Sequence, residues 1–116
     1  RMSCAEHDAI LAAVSHLPHL AAAALVDSVA DPALPFAASG FRDTTRVAAG
    51  SARLWRDIVQ ANQDEVLASI ERLEASLSLL KGHILRGDWT GLEEYLSRAA
   101  DKRHKRYPAA SEGENR

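Results

Sequence analysis

An all-α fold is predicted for this 116-residue chain by three features of its sequence. Apolar residues recur at spacings of three and four along most of its length, no segment alternates with period two for long enough to form a strand, and glycine, proline and capping residues separate the helical stretches. There is no internal repeat. The length and a composition of 47% hydrophobic and 26% charged residues fit one globular unit with a small core, which a partner subunit would enlarge.

The first helix is expected over residues 6–29, a stretch free of glycine in which Ile10, Val14, Leu17, Ala21, Ala24 and Ser28 form one stripe. Pro18 stands in its middle. It removes the hydrogen bond to the Val14 carbonyl and crowds that oxygen, so a kink is predicted there. The following "ADPALPFAASGF" is a connector of unusually apolar character, which suggests that it packs against something. "FRDTTRVAAG" is short and helix-compatible, with Gly50 as its C-terminal cap.

Ser51 is the next N-cap, and Trp55, Val59, Asn62, Val66, Ile70, Leu73, Leu77, Leu80 and Ile84 continue the spacing. One uninterrupted helix here would be about 45 Å long at 1.5 Å per residue. Either it breaks near Asn62 or it protrudes and packs along a partner in a coiled-coil-like seam. Gly87 ends this element, and Asp88 caps a last helix striped by Trp89, Leu92, Leu96 and Ala99 or Ala100. The helical domain thus spans 1–107, and 108–116 reads as a C-terminal tail. Arg1 ahead of Met2 suggests either an added residue before a genuine start or a piece of a longer chain.

Net charge is −2, so no global field favours nucleic acid or anionic lipid. The cations of "DKRHKR" fall in a final helical turn, where the macrodipole favours them without any partner. Neither a nucleic-acid nor a membrane partner is expected. No apolar run is expected to approach the ~20 residues needed to cross a bilayer, and the lone Cys4 gives no sign of an oxidising compartment; the expected location is cytoplasmic.

Two stretches carry candidate chemistry. In "SHLPHL", His16 and His19 share a helix face with Asp8, Ala12, Ser15, Ala22 and Ala23. Polar groups among small side chains admit two readings, a closely packed helix or a ligand held by two imidazoles. Metal binding by His7, Asp8, His16 and His19 is weighed and not adopted, because the spacing is not the i, i+4 pair of helical zinc sites and no cysteine pair completes one. In "GFRDTTR", Arg42 and Arg46 lie four apart around Asp43. They form either an exposed ion pair of little consequence or an anion site in which an arginine grips a carboxylate. There is no glycine-rich dinucleotide motif, phosphate loop or serine-nucleophile motif.

In their order along the chain, "HDAILAAVSHLPHLAAAAL", "GFRDTTRVAAG" and "LWRDIVQAN" before a long helix resemble the C-terminal domain of the prephenate dehydrogenase family of tyrosine biosynthesis. The resemblance covers residues 6–103. It implies a helical dimerisation domain of the kind shared with the C-terminal part of 6-phosphogluconate dehydrogenase, joined in the family to an N-terminal Rossmann domain that holds NAD or NADP. The implied reaction is oxidative decarboxylation of prephenate to 4-hydroxyphenylpyruvate, or of arogenate to tyrosine. By similarity His19 and Arg46 hold substrate polar groups, a carboxylate among them, and His16 supports that face. The family often has consecutive glycines ahead of F-R-D, where a backbone amide meets the ligand; here the stretch reads "AASG" and Ser39 takes that place. Trp55 and Asn62 match the family's W-x-D-I and the asparagine after it, for which a structural role suffices.

The resemblance further implies a homodimer. It places the catalytic histidine and the dinucleotide site outside this chain, so no catalytic, cofactor-binding or metal residue is assigned here and the chain alone is expected to be inactive. The alternative is a non-enzymatic helical module that dimerises or senses a metabolite.

Overall fold

The computed structural model describes residues 2–108, and all the regular elements among them are helical. Apart from Pro108, the tail expected over 108–116 lies outside them. Packing divides the chain between Arg72 and Leu73 into two compact units.

In the first unit, helix α1 (Cys4–Leu11) begins two residues earlier than expected. Ser3 and Glu6 close a capping box: the Glu6 amide donates to Ser3 Oγ at 3.1 Å, and the Ser3 amide to Glu6 Oε1 at 2.8 Å. A π-helical turn, Ala12–His16, joins α1 to α2 (Leu17–Asp27). The Leu17 amide reaches back five residues to the Ala12 carbonyl, and the backbone on either side keeps right-handed helical angles. The proline disturbance is therefore taken up by a widened turn rather than a break, since the wider ladder absorbs the missing Pro18 donor.

The run Cys4–Asp27 has 24 residues and a mean hydropathy of 1.8, long and apolar enough by length and composition to cross a bilayer. This corrects the expectation that no such run exists. Its stripe is also turned the other way. Ala12, His19 and Ala22 are buried, whereas Val14 is 69% exposed and Ile10 is exposed too. The face of histidines and small residues packs inside the chain because only small side chains let neighbouring backbone come close.

The connector forms a 3-10 turn, Asp31–Phe36, in which Phe36 is 87% exposed. Helix α3 (Ser39–Thr45) changes at Thr45 into a second 3-10 turn, Arg46–Ala49. That tightening ends the helix before Gly50, whose φ of −68° and ψ of 173° are extended rather than left-handed. Gly50 is thus not the glycine cap its position suggests. Ser51 does cap α4 (Ala52–Ala61), accepting from the Leu54 amide at 3.2 Å. Of the two readings of the long stripe, the break is observed: Asn62 leaves helical geometry at φ −133°, ψ 38° and α5 (Gln63–Leu85) follows. The small core comprises Ala12, Ala22 and Val66 with the buried polar side chains of His19, Thr45 and Ser69. Thr45 Oγ1 donates to the Phe41 carbonyl at 2.7 Å, and Ser69 Oγ accepts from Arg72 at 3.0 Å.

The second unit holds the remainder of α5 and α6 (Trp89–Arg106). Gly87, at φ +64°, closes α5 in a Schellman arrangement: the Gly87 amide bonds the Ile84 carbonyl and the Asp88 amide that of His83. Asp88 then starts α6 by accepting from the Gly91 amide at 2.9 Å. None of the described residues after Arg72 is buried. Leu77, Leu79, Ile84, Leu85, Trp89 and Leu96 are all more than half exposed.

Candidate functional site

Four elements of the first unit meet at His19. The widened turn sets its place on α2, and Trp55 on α4 faces it, the two rings lying parallel at 3.9 Å between centroids and 11° between planes. His16, one turn earlier and half-buried, presents an edge to the same indole at 6.3 Å and 75°. The 3-10 turn ending at Ala49 brings Gly50 against the stack. A Cβ on Gly50 would stand 3.2 Å from His19 Cε1 and 3.3 Å from Trp55 Nε1, so close approach, not backbone freedom, favours glycine.

Beside this stack is an open cleft of about 770 Å³. Its walls are largely apolar, from Leu20, Ala23, Ala48 and Val59, with Arg56, Gln60 and Gln63 as polar members. Arg56 is exposed and bonds its neighbour Asp57 at 2.9 Å. A buried imidazole stacked on an indole keeps its polar edge for a hydrogen bond while its face is covered by carbon. Such a cleft can receive a flat or ring-bearing molecule and orient it by a few polar contacts.

The sequence-predicted residues separate into two groups. His19 and His16 come together on Trp55. Arg46 opens the 3-10 turn that packs on α2, but it is exposed and outside the cleft wall; Ser39, first in α3, is likewise exposed and outside it. Arg42 is engaged by its own segment, donating to the Ala37 carbonyl at 2.9 Å, and Asp43 pairs with neither arginine. Among the described residues no three His, Cys, Asp or Glu side chains gather as a metal site would require.

Sequence reasoning underrated the α4 wall. Ala52, Trp55, Arg56, Val59 and Gln60 follow at steps of three, one, three and one, a single face of α4, and this spacing would have shown that Arg56 and Gln60 accompany Trp55; Gln63 joins the wall from α5, beyond the break at Asn62.

The family described as "Prephenate dehydrogenase, dimerization domain" matches residues 3–98. Prephenate dehydrogenase of Bacillus subtilis is 35% identical over 108 residues, covering 88% of this chain and 29% of the relative. Cyclohexadienyl dehydrogenase of Zymomonas mobilis is 36% identical over 109 residues, covering 88% and 37%. Among solved structures, prephenate dehydrogenase from A. aeolicus in complex with hydroxyphenyl propionate and NAD+ superposes with a TM-score of 0.82 at 38% identity, over 90% of this chain and 38% of the other. Synechocystis arogenate dehydrogenase gives 0.83 at 32% identity, over 90% and 40%. The chain spans about a third of the length of the curated relatives it matches.

Proposed function

We propose, on the premise that this chain belongs to the family of prephenate dehydrogenase dimerization domains, that it is the helical C-terminal part of an NAD- or NADP-dependent enzyme that oxidatively decarboxylates prephenate or arogenate in cytoplasmic tyrosine biosynthesis. Its contribution is twofold: a homodimer interface and one wall of the substrate site.

The observation that carries the substrate reading is the buried His19 ring stacked on Trp55 at an apolar cleft. A six-membered-ring acid fits a surface of that kind by its ring, and its carboxylates call for cations and N–H donors. His19 is assigned one such contact. Arg46 is assigned a carboxylate, its exposed guanidinium being free to turn toward a ligand, with His16 and Ser39 as supporting members. The described residues do not fit a dinucleotide, since they contain neither a strand nor a glycine-rich turn leading into a helix. The nicotinamide and the hydride step are therefore assigned to the rest of the full-length enzyme, and this chain alone is expected to lack activity.

The dimer reading rests on apolar side chains that the isolated chain leaves in water. Leu77, Leu79, Ile84 and Leu85 on α5 and Trp89 and Leu96 on α6 are each more than half exposed, and such a side chain gains roughly 1.5–3 kcal/mol when it goes from exposed to fully buried. Large apolar side chains clustered at the surface mark interaction sites. The same logic accounts for the bilayer-like hydropathy of Cys4–Asp27, whose exposed stripe of Ile10 and Val14 suits a protein partner.

In the full-length enzyme, Arg46→Ala is expected to raise KM between about tenfold and a hundredfold, because a charge-assisted contact is worth ~1.5–3 kcal/mol. An unchanged KM would remove Arg46 from the site.

A further inference from the structure

We infer that Asn62 is a positioning residue that fixes the tautomer of His16, holding Nδ1 as an acceptor and leaving the proton on Nε2. The consequence for a ligand rests on the reading of His16 as part of the substrate face; the tautomer itself does not.

Asn62 Nδ2 donates to the Asp8 carbonyl at 2.8 Å. A carbonyl oxygen can only accept, so the side-chain atom facing it must be the amide nitrogen, and the amide orientation is settled by chemistry. The same Nδ2 lies 3.4 Å from His16 Nδ1. An amide nitrogen offers two hydrogens and no lone pair, so with one hydrogen on Asp8 the other meets His16. A proton on Nδ1 would set two N–H groups against each other in a half-buried place; an unprotonated Nδ1 completes the bond.

The arrangement depends on two irregularities of the backbone. Asn62 is the residue at which α4 gives way to α5, and its φ of −133° and ψ of 38° are not helical. His16 ends the π-helical turn that Pro18 follows. Two breaks in helical periodicity thus meet side chain to side chain, and the neighbouring edge-on contact of His16 with Trp55 limits rotation of the ring. With Nδ1 occupied, His16 can act on a ligand only as a donor through Nε2, which suits an anionic oxygen.

The test is the long-range proton–nitrogen NMR spectrum of the ligand-free chain with labelled histidine, at pH ~8, where imidazoles of ordinary pKa are neutral. His16→Gln identifies its signals among the five histidines. The expected pattern is an unprotonated Nδ1 and a protonated Nε2. Free imidazole already leans this way, so Asn62→Asp discriminates: it loses the bond to the Asp8 carbonyl and, turned from that oxygen, offers His16 only acceptors, so the proton is expected to shift to Nδ1, inverting the pattern. Asn62→Ala should give an averaged pattern with helical circular dichroism retained. A proton on Nδ1 in the unsubstituted chain would overturn the inference, and so would an unchanged pattern in whichever variant folds. Because no ligand is involved, failure here is distinct from failure of the substrate reading, which the Arg46 kinetics decide.

Discussion

The imidazole of His19 lies flat on the indole of Trp55, 3.9 Å between ring centroids and 11° from parallel. Two residues 36 positions apart therefore form one surface, and α2 and α4 meet through it. Gly50 lies beside both rings, leaving only narrow room for a side chain. Whatever binds in the adjoining cleft meets a platform whose position depends on three segments at once.

Trp55→Ala removes that platform. The half-buried indole contributes both area and an aromatic pair, so a loss of about 2–3 kcal/mol in stability is expected, with Trp55→Phe losing less than half as much. Urea unfolding followed by circular dichroism measures it; equal losses in the two variants would show that the stack adds nothing beyond bulk.

Gly50→Val tests the close approach. The backbone there is extended and open to any residue, so strain in φ is not at issue. The cost comes from branches driven against His19 and Trp55, about 1–3 kcal/mol, while Gly50→Ala should cost under about 1.5 kcal/mol. In the full-length enzyme the valine variant should raise KM more than it lowers kcat, and a wild-type KM would detach this corner from the substrate.

Acid should loosen the turn between α5 and α6. The Gly91 amide donating to Asp88, then the His83 ring and its charge and that of Arg86, hold the Asp88 carboxyl below the usual aspartate range. A pKa lowered by folding means that the contribution is complete above the unfolded value near 3.9 and is lost as pH falls through the lowered value. Amide exchange at Gly91 should therefore stay slow at mildly acidic pH and accelerate in strong acid. Asp88→Ala should show fast exchange at every pH, and Gly91→Ala should behave similarly, because an added Cβ would collide with the Asp88 carboxylate and the His83 ring.

Leu77→Glu together with Ile84→Glu should separate the proposed dimer. Both side chains are more than half exposed in the chain itself, so the substitutions cost the protomer little. Each carboxylate buried at an interface is costly, and the association constant should fall at least a hundredfold. Sedimentation at micromolar concentration would show the mass halved, and a wild-type chain already monomeric there would refute the dimer.

The residues themselves determined much of this molecule. Spacing alone placed the helices, because a 3.6-residue period is a local property, and Ser51, Asp88 and Gly87 mark boundaries through bonds that span three to five residues. The order of SHLPH, FRD-TTR and W-x-D-I was enough to point to the family. Other features depended on residues distant in sequence. Apolar periodicity indicates that a stripe will be buried without saying by what, so Ile10 and Val14 look like core yet face outward, while Ala12, His19 and Ala22 take the interior. Gly50 read as a helix cap, although its purpose is space for two rings brought in from α2 and α4. Nothing local joins Asn62 to His16 across 46 residues either. Tertiary packing decided these points, since a polar side chain acquires its role only from the partner the fold sets against it.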